Sequence, residues 1–326
     1  MQNANTIDNT YTIIRPIGES SISFVYLVRN NNIEYAAKIR VNNPNEYLHE
    51  LQMTAIACGL NNPNIIHLNN YSTGTITNNG RVANNKHYLI FDYCPKGDLF
   101  KYINQNGLSE RQAKFFFKKI LKGVQALHRV GVCHRNLNLE NILLDQNFNP
   151  KISNFALAKQ LIQNDENIKL KDYIGTNNYI SPQILNLQPY SGEKADIFSL
   201  GVILFNLITG VNGFTTSSNN DIYYKFIKDG KINEYWDNIA QSLQNDIILS
   251  SDFKNLYITM VAFNENERPN ISQILEHHWF KEINILINEQ LIQLENNVRN
   301  EFASREVQLN QNIQHLDDDI VFNENI

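Results

Sequence analysis

The chain has 326 residues, 42% hydrophobic and 19% charged, with a formal net charge of −5 at pH 7. That balance suits a soluble globular protein with room for one large or two modest domains, and it argues against nucleic acid or an anionic membrane as the main partner. Cys58, Cys94 and Cys133 lack metal-ligand spacing, Met1–Asp8 lacks a basic-then-apolar leader, and the apolar run Gly201–Thr209 is too short to span a bilayer, so the expected setting is cytoplasmic and intracellular.

Residues 1–10 are expected to be flexible. Tyr11–Ile17 alternates as a strand, and Ser23–Val28 and Ile33–Val41 are rich in β-branched and aromatic residues around the turn Arg29-Asn30-Asn31-Asn32. Glu46–Leu60 has helical composition and is broken by Pro63-Asn64. Ile65–Tyr71 and Lys86–Tyr93 read as a strand pair, with a protruding polar hairpin, Ser72–Asn85, between them. From Asp98 the period becomes helical: Leu99–Asn104, then Ser109–Val130, whose Ala113, Phe116, Phe117, Ile120, Val124 and Leu127 recur at three- and four-residue steps. Helical patterns return at Ala195–Thr209, Asp221–Ile227, Ser251–Phe263 and Ile271–His277. In the tail, Lys281–Leu316 carries apolar residues at similar spacing without Gly or Pro, which reads as an amphipathic helix or helical pair. Two readings of it stay open, a helix docked on its own large lobe or a partner-binding or self-associating segment; Asp317–Ile326 is expected to fray.

Short motifs mark the junctions of these elements. Ile17-Gly18-Glu19-Ser20-Ser21-Ile22-Ser23-Phe24-Val25 reads either as a plain hairpin or as a degenerate loop for covering phosphates. Lys38, ending Tyr35-Ala36-Ala37-Lys38, is either a rim lysine with its ammonium in solvent or a phosphate ligand paired with Glu50 on the next helix. Phe91-Asp92-Tyr93-Cys94 and Gly97-Asp98-Leu99-Phe100 follow. The most informative stretch is Val132-Cys133-His134-Arg135-Asn136-Leu137-Asn138-Leu139-Glu140-Asn141, with Lys151-Ile152-Ser153-Asn154-Phe155-Ala156 shortly after it. Gly175-Thr176, Tyr179-Ile180-Ser181-Pro182-Gln183, Asp196-Ile197-Phe198-Ser199-Leu200-Gly201, Arg268-Pro269 and His278-Trp279-Phe280 complete the series.

In this order, the motifs over Tyr11–Phe280 resemble the eukaryotic Ser/Thr protein kinase family, nearest its calcium/calmodulin-dependent-like and related branches. The resemblance implies an α+β, bilobal fold, with a small β-rich N-lobe (11–93), a larger helical C-lobe (97–280) and a helical tail (281–326). It assigns Gly18, Ser20, Ser23, Val25, Ala36, Lys38, Phe91, Asp92, Cys94, Asp98 and Leu143 to an ATP cleft, and Asn141 and Asn154 to the metal positions. His134 and Phe155 match a packed spine, Val25, Ala36 and Leu143 match its adenine-side counterpart, and Asp196 matches the anchor of the catalytic loop.

The departures share a direction. Asn136 stands where the family has the aspartate that accepts or orients the substrate hydroxyl proton; an amide is not a base, and such help is typically worth ~10²–10⁴ in rate. Asn138 replaces a lysine that neutralises the transferring group. Asn154 replaces the metal-binding aspartate, although magnesium favours anionic oxygens, and Ala156 replaces the glycine after it. Gln183 replaces a glutamate that pairs with Arg268. Between Asn154 and Gly175 there is no Ser or Thr, so a phosphorylation switch has no obvious acceptor there, and Asp165, Glu166 or Asp172 is left to serve Arg135.

The resemblance therefore implies a pseudokinase-like protein, degenerate in its catalytic motifs, whose phosphoryl transfer is absent or very weak and which acts by binding other proteins. ATP binding is expected to be weak or metal-independent, and magnesium is a doubtful fit. The alternative is an active Ser/Thr kinase with an atypical loop, because a loose transition state needs little help from a base.

Overall fold

A computed structural model describes residues 5–20, 22–40, 43–103, 107–161, 168–243 and 247–323, with side chains as far as residue 311. The first lobe is built from β1 (Thr6–Ile7), β2 (Tyr11–Ser20), β3 (Ser23–Asn30), β4 (Ile33–Arg40), helix α1 (Pro44–Gly59), β5 (Leu68–Asn78) and β6 (Arg81–Asp92). All neighbouring strands are antiparallel, and they close into a barrel in the order β1-β2-β3-β4-β6-β5. Period-two alternation sets the inside: Tyr11 and Ile13 are buried while Thr12 and Ile14 are exposed. Ile7, Val28, Ala37, Ile39, Ile76, Tyr88 and Ile90 complete this small core. The turns match their sequences, since Asn31 and Asn32 both take left-handed backbone (φ 48° and 64°), as a tight hairpin between right-twisting strands requires. Pro44 opens α1 behind the Asn43 cap, whose side chain accepts from Glu46 N.

One expectation fails in this lobe, and the hairpin expected at Ser72–Asn85 is an extension of its flanking strands. Residues 1–4 lie outside the described residues, but the following ones are built into the barrel instead of being flexible. Thr6 and Ile7 pair with Thr12 and Tyr11 on one side and with Thr77 and Ile76 on the other. Asp8 accepts hydrogen bonds from Thr75 N (2.6 Å) and from the Tyr88 hydroxyl (2.8 Å), which ties the segment to the far strand. The polar stretch Ser72–Asn85 is mostly strand. Its ladder continues to Asn78↔Arg81, past an irregularity between Gly74 and Ile76, and the turn is only Asn79-Gly80 (φ 51° and 76°). Polar composition hid the strands because both faces of this hairpin end are partly exposed.

The second lobe adds β7 (Gly97–Asp98), α2 (Glu110–Arg129), β8 (Val132–Cys133), β9 (Ile142–Leu144), β10 (Pro150–Ile152), β11 (Lys159–Gln160), α3 (Pro182–Leu185), α4 (Gly192–Thr209), α5 (Ile222–Lys228), α6 (Ile232–Ser242), α7 (Ser251–Met260), α8 (Ile271–Glu276), α9 (Lys281–Asn284) and α10 (Asn288–Asn323). Leu99–Tyr102, read as α-helical, is a single 3₁₀ turn capped by Asp98. A reciprocal capping box between Ser109 and Gln112 starts α2, and its apolar stripe from Ala113 to Leu127 is fully buried. Helix α4 is apolar all round and is buried nearly throughout. Gly201 lets α7 approach it, because a Cβ there would lie 2.7 Å from Val261 Cγ1. The β-rich first lobe and helical second lobe make the chain an α+β bilobal protein.

Helix α10 lies against the second lobe. Leu294, Val298 and Phe302 are buried, and the Phe302 ring meets Tyr102, Phe116 and Phe148 at centroid distances of 5.5, 5.2 and 5.8 Å. Lys119 pairs with Glu295 at 2.8 Å and Lys96 with Glu306 at 2.7 Å, and the Arg305 guanidinium donates to the carbonyls of Tyr102 (2.8 Å) and Gly107. The helix runs to Asn323, through most of the segment expected to fray; residues 324–326 lie outside the described residues. Truncating Phe302 leaves an unfilled aromatic site, so Phe302→Ala is expected to lower stability by about 3–5 kcal/mol, read as a lower urea midpoint at unchanged slope. A loss under about 1 kcal/mol would mean the helix is undocked in solution.

Candidate active site

The loop after β8 is fixed from beneath by Asp196 of α4. This carboxylate is wholly buried and accepts from His134 N (2.8 Å), Arg135 N (2.7 Å) and His128 Nε2 (2.8 Å). Arg135 adopts left-handed backbone (φ 62°), which turns the following residues toward the cleft. The His134 ring bonds the Ser153 carbonyl at 2.9 Å and meets Phe155 edge-on at 5.3 Å. Burial holds its pKa below the usual imidazole range, so the ring is neutral.

Around this frame the structure brings together Lys38, Asn154, Asn141, Asn136 and Asn138. Lys38 Nζ donates to Asn154 Oδ1 at 3.2 Å, Asn154 Nδ2 donates to Asn141 Oδ1 at 3.0 Å, and Asn141 Nδ2 donates to the Asn136 carbonyl at 2.8 Å. The directions of the Asn154 and Asn141 amides are determined. An ammonium only donates and a backbone carbonyl only accepts, so the two carboxamides between them have one consistent orientation. Asn154 takes left-handed backbone (φ 64°), which its short polar side chain tolerates. A second link runs through Thr176, whose hydroxyl donates to Asn136 Oδ1 (3.0 Å) and accepts from Asn138 Nδ2 (2.7 Å), while Asn138 Oδ1 caps Asn141 N at 2.8 Å. The side-chain oxygen of Asn136 thus already holds a proton donor. Asn154 and Asn141 offer neutral carbonyl oxygens that are both engaged, a donor set that does not fit a magnesium ion.

Lys38 also pairs with Glu50 Oε1 at 2.6 Å. The other oxygen of Glu50 is taken by Arg40, through Nη2 at 2.6 Å and Nε at 2.9 Å, and Arg40 reaches Glu46 at 3.2 Å. Glu50 and Arg40 are 1% and 2% exposed, so this pair is fully desolvated, while the Lys38 side chain remains 13% exposed at the rim. Burial raises the Glu50 pKa, but Lys38 and Arg40 together outweigh it and hold the carboxyl below its ordinary value. Sequence reasoning missed Arg40. A signal was present: two cations at i and i+2 share one strand face, opposite glutamates at i and i+4 of a helix.

The strand pairing of β2 and β3 continues through Gly18↔Val25 to Ser20↔Ser23. Ser20 Oγ accepts from the backbone N–H of Ile22 (3.3 Å) and Ser23 (3.1 Å) and lies 2.9 Å from Ser23 Oγ, so the turn closes on its own side chain. Val25, Ala36, Phe91, Asp98 and Leu143 are half-buried, Asp92 is exposed and Cys94 is buried, with its thiol pushed up to about 12 by burial. Asp98 and Leu143 are register partners across β7 and β9. Asp98 also accepts from Lys101 N at 3.2 Å.

Downstream, Arg135 Nη1 pairs with Asp172 at 2.6 Å and its Nε donates to the Leu157 carbonyl at 2.8 Å. That bond holds the Asp172 carboxyl below the usual range. Asp165 and Glu166 lie outside the described residues. Arg268 is satisfied without a carboxylate at position 183: it donates to Gln183 Oε1 (2.7 Å) and to the carbonyls of Ala262 (2.9 Å) and Lys194 (3.0 Å), and lies over the Phe198 ring. Burial lowers its pKa to about 10.

A β-rich lobe, a helical lobe and a cleft bounded by Lys38, Glu50 and the His134–Asn141 loop define a kinase-type protein. Residues 11–280 match the protein kinase domain family, and the chain belongs to it. Similar proteins include CBL-interacting protein kinase 5 of Oryza sativa subsp. japonica, 29% identical over 287 residues, covering 85% of this chain and 57% of that protein. NUAK family SNF1-like kinase 1 of Homo sapiens is 32% identical over 248 residues, covering 76% and 34%. Probable serine/threonine-protein kinase 2 of Plasmodium falciparum is 35% identical over 197 residues, covering 59% and 36%. The chain spans less than two thirds of each relative's length. The last of these relatives is named as a serine/threonine-protein kinase, and the protein kinase family generally uses ATP and magnesium. No helix among the described residues is long and apolar enough to cross a membrane.

Breaking the Glu50–Arg40 pair leaves a buried cation without its main counter-charge, so Glu50→Gln is expected to cost about 3–5 kcal/mol at neutral pH. The sign with pH follows from the depressed carboxyl: its contribution is present above the unfolded pKa of about 4.3 and is lost as pH falls through the lower folded value. Denaturant midpoints of the native chain and Glu50→Gln should therefore converge as the medium is acidified below that point. Parallel profiles would exclude Glu50 as the source.

Proposed function

We propose that this chain is a pseudokinase, a kinase-domain protein whose phosphoryl transfer is absent or very weak and which acts by binding other proteins, with adenine-nucleotide binding as a modulator. The observation that carries the reading is the 3.0 Å hydrogen bond between Asn154 and Asn141, in which the side chains that would grip a cation bind each other. A kinase normally turns over at ~1–100 s⁻¹. Losing the base and a metal ligand at ~10³ each leaves on the order of 10⁻⁶–10⁻⁴ s⁻¹, a lower limit because losses within one site rarely add fully.

Two further observations support a frame kept for recognition. Asp196 still holds the loop, and Asp172 pairs with Arg135, the position a phosphate would serve in a switch. The free cysteines suit an intracellular setting. Ile292 and Val307, 58% and 55% exposed on α10, offer apolar contacts for a protein partner or a second copy. The second reading, an active kinase with an atypical loop, is favoured by the intact Lys38–Glu50 pair.

Radiolabelled phosphate transfer by the purified chain separates the two. Turnover is expected below ~0.01 s⁻¹ and unchanged by Lys38→Ala, whereas lysine-dependent transfer above that rate overturns the proposal. The double variant N136D/N154D is expected to gain about 10²-fold or more.

A further inference from the structure

We propose that the outer face of α2 is a docking surface for an acidic segment of a partner protein, received by Lys118, Lys122 and Arg129. The proposal deepens the protein-binding part of the functional reading and rests on it. None of its residues belongs to the cleft, so its test is separate from the transfer assay.

Helix α2 carries six cations, Arg111, Lys114, Lys118, Lys119, Lys122 and Arg129, against one carboxylate, Glu110, in a chain whose net charge is −5. Glu110 is already engaged by Ser250 and by the Trp279 indole N–H. At about 3.6 residues per turn, Arg111, Lys118, Lys122 and Arg129 fall within about 40° of one another around the axis, in a stripe about 27 Å long. Burial follows that register: Arg111, Lys122 and Arg129 are exposed and Lys118 is half-buried, while the opposite face fills the core.

Half of these charges are neutralised within the chain. Glu282 takes Arg111 and Lys114, at 3.1 and 3.4 Å, and Glu295 takes Lys119 at 2.8 Å. Lys118, Lys122 and Arg129 pair with no carboxylate among the described residues. Lys118 donates to the neutral Asn284 Oδ1 at 2.6 Å, and burial, then Lys122, holds its pKa below the usual lysine value. The neighbouring contacts are neutral too, since Asn62 donates to the Lys122 carbonyl at 3.2 Å and Gln125 to Ser272 at 3.2 Å. Like charges four residues apart oppose helix formation, so α2 keeps Lys118 and Lys122 against its own stability. An incoming carboxylate relieves that repulsion and meets charged donors on a rigid element.

Spacing and charge select the partner. From Lys118 the rises to Lys122 and Arg129 are about 6 and 17 Å, which a helix with carboxylates at i, i+4 and i+11 matches. Nucleic acid or an anionic bilayer brings dense uniform charge, which three cations on a chain of net charge −5 do not offset. A short acidic segment brings only the charge that the stripe takes up.

Fluorescence anisotropy of the full chain with a labelled, alanine-rich helical peptide bearing glutamates at i, i+4 and i+11 tests this. The peptide is expected to bind at about 50 mM salt and to weaken about tenfold or more by about 300 mM, as surface charge pairing requires. Its glutamine counterpart should bind about tenfold more weakly at low salt. The double variant K122Q/R129Q, at exposed positions, is expected to lose about tenfold in affinity at an unchanged or higher melting temperature. Lys231→Gln, which removes an exposed lysine at the start of α6, should change the affinity by less than about twofold. Three results overturn the proposal: no binding of the glutamate peptide at low salt, an equal loss with Lys231→Gln, or tighter binding to duplex DNA or phosphatidylserine vesicles than to the peptide. Each of these leaves the transfer assay to decide separately whether the chain is a pseudokinase.

Discussion

A buried carboxylate held by three N–H groups governs this molecule. Asp196 is completely excluded from solvent on a helix that is itself core, and it is stabilised there only by the N–H groups it accepts from His134, Arg135 and His128. Burying such a charge is costly unless each lone pair is satisfied, so the loop must wrap the carboxylate in one way. That wrapping forces Arg135 into left-handed backbone, at roughly 1–2 kcal/mol for a non-glycine residue. From there the remaining geometry follows: the Arg135 side chain turns to Asp172 and Leu157, the His134 ring to Ser153 and Phe155, and Asn136, Asn138 and Asn141 into the cleft. None of these placements needs a bound ligand.

Against this constraint, the asparagines are not simply failed aspartates. A carboxylate presents only acceptors, whereas a carboxamide presents one acceptor and two donors. Exchanging one for the other lets neighbouring side chains bond each other where carboxylates would repel. The polarity runs one way, from the ammonium of Lys38 to the carbonyl of Asn136, with no amide left to choose its orientation. A similar self-satisfaction occurs at Ser20, whose hydroxyl accepts from the turn amides of Ile22 and Ser23.

Much of this was legible in the sequence because motifs are ordered by the fold that spaces them. The run from Ile17 to Phe280 identified both lobes. Asp172 was one of three carboxylates the sequence left to serve Arg135, and it is the one that pairs with Arg135 among the described residues. What was hidden depended on partners distant in the chain. Strand β1 could not be read from two residues whose neighbours are Thr77 and Ile76; Arg40 resembled an ordinary strand-end cation until α1 laid Glu50 over it. The mutual bond of Asn154 and Asn141 was invisible because motif comparison asks what each residue has lost, not what two replacements do to each other. The long tail was legible as helix, but its docking rests on a hole shaped by Tyr102, Phe116 and Phe148, which periodicity does not describe.

The energetic consequence concerns the empty cleft. Acidic groups gathered to hold a dication repel one another when it is missing, and that repulsion raises pKa values and loosens the site until metal arrives. Here the corresponding positions attract. Lys38 is satisfied by Glu50 and Asn154, Glu50 is satisfied by Lys38 and Arg40, and each amide finds a partner within the cleft. Helix α1 is therefore held against the barrel by Arg40 even if Lys38 turns away. A kinase whose helix position depends on nucleotide and metal changes shape as they come and go. In this chain the position of α1 is set by internal contacts, from Glu50 to Lys38 and from Glu50 to Arg40.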